Sequence, residues 1–231
     1  MEALILAGGK GKRLQPLTSE KPKPMLDVGG KPIIEWQIEW MKGHGVDSFI
    51  ISAGYMKEKL IEYLGTGSRL GVDLSFKIED EPLGTGGAIK NAADMLNDQD
   101  MFIVANGDII TNINLKKLVD SVKSVSTISL VPLRSTFGIV DTDGQKVVRF
   151  RSSPYIEDYW LNAGIYVMSK KVFDYLPESG SLEDITFPKL IDEGLLSCEK
   201  FKDVYWRSID SFKDYDEVNK DLFDNVVYNV K

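Results

Sequence analysis

EALILAGGKGKRLQPLTSEKPKPML, residues Glu2–Leu26, sets the terms for the rest of the chain. Its apolar opening, Ala3 to Ala7, predicts a short buried strand that ends at a glycine pair. Gly8, Gly9 and Gly11 let the backbone turn sharply and present bare N–H groups. Lys10, Lys12 and Arg13 follow, and Lys23 stands between prolines that stiffen its surroundings. A strand, a glycine loop and fixed cations together suit a polyphosphate. The Walker string of Gly, four residues and Gly-Lys-Ser/Thr is absent. The dinucleotide fingerprint fails because Leu14 stands where a third glycine is needed. Taken alone, the remaining Gly-Gly-Lys-Gly-Lys-Arg is either a phosphate loop or a plain tight turn.

Beyond this stretch the chain alternates. Pro32–Met41 satisfies both a strand and a helix period, but its leading proline and closing Gly43 and Gly45 favour a helix. Ser48–Ala53 predicts a strand, Lys57–Leu64 a helix and Val72–Ile78 a strand. Such alternation implies a mainly parallel sheet flanked by crossover helices. A second glycine cluster, EPLGTGGA at Glu81–Ala88, leads into a predicted helix over Ala88–Leu96. The strand Met101–Ala105 then ends in Asn106-Gly107-Asp108, which sets a lone carboxylate at the sheet's carboxyl edge, where ligands bind in open α/β folds. From Thr127 the pattern reads as antiparallel, with strands at Thr127–Leu133, Gly138–Asp141, Lys146–Phe150 and Leu161–Met168 and a hairpin turn at Asp143-Gly144. Helical segments at Lys171–Leu176 and Asp184–Glu193, a strand at Val204–Ile209 and a helix at Tyr215–Asp224 complete the reading. One α/β domain over 1–231 is expected, with a first half to about residue 125 and a smaller, more antiparallel lobe from about 126.

Bulk properties narrow the partners. The 231 residues suffice for a sizeable core, and 43% hydrophobic with 27% charged residues is ordinary for a globular protein. Lys and Arg number 28 against 35 Asp and Glu, so the net charge of −7 argues against a nucleic-acid partner while leaving room for a small phosphorylated ligand. The single cysteine, Cys198, suits a reducing compartment and reads as a small, partly buried hydrophobe. One histidine and one cysteine make a zinc or histidine-nucleophile site a poor fit, and the four tryptophans read as packing. With no apolar run of membrane-spanning length and no leader-like start, the expectation is a cytoplasmic protein with no membrane partner.

Taken in order, GGKGKRLQPLT, KPKPML, GGKPIIE, EPLGTGGA, NGD and NAGIY resemble the sugar-1-phosphate nucleotidyltransferases, which make nucleotide sugars. The form GTGGA looks most like the guanylyltransferases that act on mannose- or heptose-type phosphates. The resemblance implies a Rossmann-like, glycosyltransferase-A-like α/β fold, with the half to about residue 125 binding nucleotide and the lobe from about 126 binding sugar. It implies that a sugar 1-phosphate attacks the α-phosphorus of a nucleoside triphosphate, here GTP in the favoured form, with pyrophosphate leaving. Cytidylyl-, thymidylyl- or uridylyl transfer, or a silent nucleotide-sugar-binding regulatory subunit, stay open, as does a homo-oligomer. By the same resemblance Arg13 meets the leaving pyrophosphate, Lys23 bridges the phosphates of the two reactants, and Asp108 holds Mg²⁺. Leu6, Ala7, Gly8, Gly9, Gly11 and Lys12 take the triphosphate, while Glu81, Gly84, Thr85 and Gly86 border the base. Gly138, Asn162, Gly164 and Glu183 match sugar contacts. No appended repeat domain with acyltransferase function is expected.

Two positions depart from the family pattern. A Phe-x-Glu-Lys-Pro segment, whose lysine neutralises the sugar phosphate, corresponds to Phe150-Arg151-Ser152-Ser153-Pro154. Arg149 and Arg151 share a face with Ser153 if the strand runs on; they either replace the missing charge or are solvated. A metal-binding aspartate corresponds to Ser208, and Asp210, two residues along the same predicted strand, is positioned to replace it.

Overall fold

A computed structural model describes residues 1–96, 100–135 and 137–224. The apolar run at the start is strand β1 (Glu2–Ala7), with Ala3, Leu4 and Ile5 fully buried. A two-residue ribbon, β2 (Asp27–Val28) and β3 (Lys31–Pro32), turns the chain into helix α1 (Ile33–Lys42). Pro32 caps that helix, which settles the ambiguous period as helical. Next come β4 (Ser48–Ala53), α2 (Lys57–Leu64) and β5 (Asp73–Ile78), all close to expectation.

The next helix departs from it. Helix α3 spans Gly84–Asn91 rather than Ala88–Leu96. Gly84 turns with φ +71°, and a Cβ there would come within 2.6 Å of the Gly180 carbonyl oxygen, which accepts from the Gly86 and Gly87 amides. The glycines thus form the first turn of the helix because another backbone segment lies against them. Strand β6 (Met101–Asn106), the short β7 (Ile109–Thr111) and helix α4 (Leu115–Asp120) follow.

The later half supplies β8 (Ser126–Arg134), a ribbon of β9 (Ile139–Asp143) and β10 (Lys146–Arg151), and the long β11 (Tyr155–Ser169). The helical segments expected at Lys171–Leu176 and Asp184–Glu193 are present as a 3₁₀ segment, Lys170–Asp174, and as a π turn, Leu182–Thr186, that leads into α5 (Phe187–Asp192). Strand β12 (Leu196–Lys200) escaped the sequence reading because its alternating, mostly polar residues carry little apolar signal. Cys198 is exposed on it, correcting the expectation of partial burial. The strand expected over Val204–Ile209 shortens to β13 (Trp206–Ser208), and helix α6 (Phe212–Phe223) begins with a capping box at Ser211 and Asp214.

The main sheet has the order β12-β8-β11-β6-β1-β4-β5. Among the described residues β11 alone runs against the others, so the antiparallel character of the later half rests on β11 and the β9–β10 ribbon. Two apolar layers cover the sheet, one built around Ile34, Ile38 and Phe49, the other around Phe102, Tyr166 and Leu190. A third cluster, with Leu14, Ile33, Tyr205 and Val218, binds the first loop to α6. Trp36, Trp40 and Trp206 donate their indole N–H groups to the carbonyls of Val28, Ile113 and Ala163, as packing residues with polar edges do. Among the described residues no helix is long and apolar enough to cross a membrane.

The carboxyl end of the parallel β1–β6 pair leaves no slack. Gly107 donates its N–H to the Leu6 carbonyl at 2.9 Å, and a Cβ on Gly107 would lie 2.6 Å from that oxygen and 3.3 Å from Pro24. Gly107→Ala is therefore expected to cost about 1–3 kcal/mol, as overpacking does, and to lower Tm by about 2–4 °C for each kcal/mol in scanning calorimetry.

Candidate active site

Strands β1, β4, β5 and β6 end on one edge of the sheet, and the segments leaving that edge enclose a cavity of about 440 Å³. Leu6, Ala7, Gly8, Gly9, Gly11 and Lys12 form one wall, Gly84 and Thr85 another. Arg13, Lys23, Asp108 and Asp210 meet at the same cavity. The position obeys the rule for open parallel sheets, in which ligands lie beyond the carboxyl ends of the strands.

The glycine loop is held from behind. Tyr55 donates its backbone N–H to the Gly8 carbonyl at 3.2 Å, and the Thr18 hydroxyl donates to the Gly11 carbonyl at 2.9 Å. Gly11 has φ +58°, which glycine alone adopts without strain, and a Cβ there would meet Thr18 at 2.9 Å. With those carbonyls turned away, the loop can offer amides to an anion.

Lys23 is the centre of the charge cluster. Its ammonium donates to Asp108 Oδ2 at 2.6 Å and to Asp210 Oδ1 at 3.0 Å, and the side chain is only 13% exposed. The buried prolines on either side fix it there. Arg13, mostly exposed, also donates to Asp210 Oδ1 at 3.0 Å. The two aspartates lie 102 positions apart in sequence, yet a ribbon of β7 and β13 aligns them: Ile109 pairs with Ser208, and Ile209 donates its N–H to the Asp108 carbonyl at 3.0 Å. The strand stops at Ser208, so Asp210 reaches the cavity from the following turn rather than by sharing a strand face. There the Ser208 hydroxyl donates to Asp210 Oδ2 at 2.9 Å. Ser208 thus orients the Asp210 carboxylate. Burial works against the Asp210 charge, but Lys23, Ser208 and Arg13 outweigh it and hold the carboxyl below its ordinary value. Among the described residues no third His, Cys, Asp or Glu joins the two aspartates in a cluster.

Glu79, not the expected Glu81, enters the cavity. Glu81 is exposed outside the lining, whereas Glu79 is 8% exposed and sits directly behind the glycine loop. A Cβ on Gly8 would come within 2.5 Å of Glu79 Oε1. The carboxylate accepts from the Ser52 hydroxyl at 2.7 Å and from the Leu83 amide at 3.2 Å. Its signal was present in the sequence: like the NGD turn, it follows directly on the carboxyl end of a parallel strand. Asn106 lines the cavity as well, with its side-chain oxygen buried and unpaired. Gly86 does not reach the cavity, since its amide is committed to Gly180.

The residues expected to contact the sugar divide into two groups. Glu183 accepts from the Thr85 hydroxyl at 3.1 Å and from Tyr166 Oη at 3.4 Å, and Asn162 donates to Tyr166 Oη at 2.9 Å. This chain of hydrogen bonds joins the second glycine cluster to β11. Burial and the nearby Glu183 charge push the Tyr166 hydroxyl pKa well up, so it stays a neutral donor. Gly164, with φ +69°, backs directly onto Asn106. None of the five expected sugar residues is part of the cavity lining; Gly138 is covered by the Phe150 ring, and Arg151 donates to Asp141 at 2.8 Å. The strand does not continue to Ser153, which turns with φ +46°, so the face-sharing condition for Arg149 and Arg151 is not met.

Residues 2–225 match the family described as nucleotidyl transferase. The chain belongs to that family. This nucleotidyl transferase is 34% identical to the D-glycero-α-D-manno-heptose 1-phosphate guanylyltransferase of Aneurinibacillus thermoaerophilus, over 96% of its own length and 98% of the relative's. It is also 34% identical to the mannose-1-phosphate guanylyltransferase of Mycobacterium tuberculosis, over 96% of its length but only 64% of that longer protein. Among solved structures, HddC from Yersinia pseudotuberculosis complexed with GMP-PN superposes with a TM-score of 0.76 at 32% identity, covering 95% of this chain and 98% of that one.

Because the Asp210 carboxyl is held below its ordinary value, its ion pairs stabilise the fold above the ordinary carboxylate pKa and are lost as pH falls through the lowered one. The Tm gap between the wild type and Asp210→Asn is expected to be widest at about pH 6 and to shrink towards about pH 3. Thermal unfolding across that range checks it.

Proposed function

We propose that the chain is a sugar-1-phosphate guanylyltransferase, with GTP and a mannose- or heptose-type 1-phosphate as substrates. Nucleotidyl transfer is supported above all by Lys23, fixed between two carboxylates at the mouth of a glycine loop. The reaction brings one phosphate anion against the α-phosphorus of another, so charge neutralisation and positioning are what the protein must supply. Amides of Gly8 to Gly11 receive the triphosphate. Lys23 exchanges its aspartate partners for phosphate oxygens of both reactants, and Arg13, at the exposed rim, takes the departing pyrophosphate.

The residues present suit a divalent cation. Asp108 and Asp210 turn carboxylate oxygens towards one point, which Lys23 marks, and hard oxygen donors with few protein ligands match Mg²⁺ shared with phosphates. Bound there, such an ion would neutralise charge on the phosphoryl oxygens.

Glu79 supports guanine. The Watson–Crick edge of guanine carries two adjacent donors, N1–H and the N2 amino group, and a carboxylate is acceptor-only. Uracil and thymine set N3–H between two carbonyl oxygens, which a carboxylate repels. Cytosine and adenine offer one donor beside an acceptor. A half-satisfied buried carboxylate in the nucleotide cavity therefore favours GTP.

The test is pyrophosphate release from GTP, CTP, UTP, dTTP and ATP, each with mannose, heptose and glucose 1-phosphates. GTP with a mannose- or heptose-type phosphate is expected to give the highest kcat/KM. A preference for UTP or dTTP would overturn the base assignment. No release with any pair, despite ligand-induced thermal stabilisation, would favour the silent binding subunit. Lys23→Ala should lower kcat by about 10²–10³-fold, the scale of losing one charge-stabilising donor. Glu79→Gln should lower kcat/KM for GTP by about 10–100-fold, as expected for about 1–3 kcal/mol of bidentate recognition.

A further inference from the structure

Both oxygens of the Asp210 carboxylate are engaged by the chain itself. Oδ1 accepts from the Lys23 ammonium and from the Arg13 guanidinium, each at 3.0 Å, while Oδ2 accepts from the Ser208 hydroxyl at 2.9 Å. The same ammonium donates to Asp108 Oδ2 at 2.6 Å, so it bridges the two carboxylates. An ion that ties Asp108 to Asp210 needs an oxygen from each, and each oxygen of Asp210 has a donor in place. The charges cancel as well. Two aspartates against one lysine and one arginine leave little net charge to attract a dication. The arrangement is also anchored. Buried prolines flank Lys23, and the Asp210 backbone N–H donates at 3.2 Å to Asp214, the acidic member of the α6 capping box.

We infer that Lys23 plugs the cation site, so that a divalent ion enters only after a triphosphate has drawn Lys23 and Arg13 away from Asp210. The inference rests on the proposed function, in which both cations turn to phosphate oxygens. Mg²⁺ holds its ligands at about 2.0–2.1 Å and takes one or two carboxylates together with substrate phosphates. Between the same two oxygens it would stand where the Lys23 ammonium stands, and two cations so close repel strongly in a partly buried site. A triphosphate removes that conflict. Its oxygens accept from Lys23 and Arg13, which frees the Asp210 Oδ1 that both had shared. Ser208 keeps its hold on Oδ2, so the carboxylate stays aimed while Oδ1 changes partners. Nucleotide and ion thereby assist each other, since whatever opens the site to one tightens the other by linkage.

The test is Mn²⁺ binding, read by water-proton relaxation and by the shift in unfolding midpoint. Without nucleotide the wild type is expected to hold Mn²⁺ no tighter than about 1 mM, the weak end of carboxylate sites. Lys23→Met keeps the side-chain length and removes the charge. It should bind Mn²⁺ at least about 10-fold tighter, the scale of one adjacent charge, and gain thermal stability from the ion where the wild type gains none. Adding Asp210→Asn to Lys23→Met should abolish the gain. Arg13→Met is the safeguard: that side chain is 79% exposed, so the fold is kept, and a smaller gain in the same direction is expected. With the wild type, a triphosphate whose α–β bridging oxygen is replaced by methylene should bring Mn²⁺ onto the protein. Its base is the one preferred in the pyrophosphate assay, so loss of the guanine reading leaves this test intact. The Lys23→Met comparison needs no nucleotide and decides the plug even where no triphosphate reacts. Nucleotide-free wild type that binds Mn²⁺ as tightly as Lys23→Met would overturn the inference. So would a wild type that takes up no Mn²⁺ with the analogue.

Discussion

One ammonium group holds the catalytic end of this fold together. Without Lys23, Asp108 and Asp210 would face each other with only the rim arginine to offset their repulsion, in a setting where burial already opposes charge. With it, the first loop, the turn after β6 and the turn after β13 are tied at one point. The prolines beside Lys23, the Gly107 contact with β1 and the β7–β13 ribbon can all be understood as support for that point. The same cluster is poised for phosphate chemistry, because a cation already balanced between two carboxylates can be shared with incoming anions at little reorganisation cost.

The cavity carries charge of both signs. Cations gather at the Arg13–Lys23 end, and Glu79 lies against the back of Gly8. Under the proposed function the ligand is mixed in the same way, with an anionic triphosphate and a base that presents donors. The Glu79 carboxylate accepts from Ser52 and Leu83 and keeps lone pairs for a further donor.

Much of the fold was legible because its strands are apolar runs and its helices begin or end at proline or glycine. β1, β4, α2 and β6 fall where periodicity puts them. Where the reading failed, tertiary contacts decide. The start of α3 depends on Gly180, nearly a hundred residues away, and β12 is a strand because β8 offers it an edge. Cys198 is exposed for the same reason. The site follows the same division. Arg13, Lys23 and Asp108 belong to contiguous motifs, whereas Asp210 acts from a turn placed by β-pairing, and Glu79 sits in an acidic trio whose members look alike in sequence. Gly138 was assigned by position in a motif and Arg151 as a cation near the missing lysine; neither is in the cavity lining, since Phe150 covers the one and Asp141 pairs with the other.

The backbone bond from Ile209 to Asp108 ties residues made far apart in time. As the chain emerges from the ribosome, the glycine loop, Lys23 and Asp108 are all present before β13 exists to pair with β7. Such an early segment already has its phosphate loop, yet it lacks the second carboxylate and the ribbon that aligns the first. Non-local pairings of this kind form late, after the entropy of closing a long loop has been overcome. The turn that carries Asp210 therefore reaches Asp108 only after β13 has been made and paired with β7.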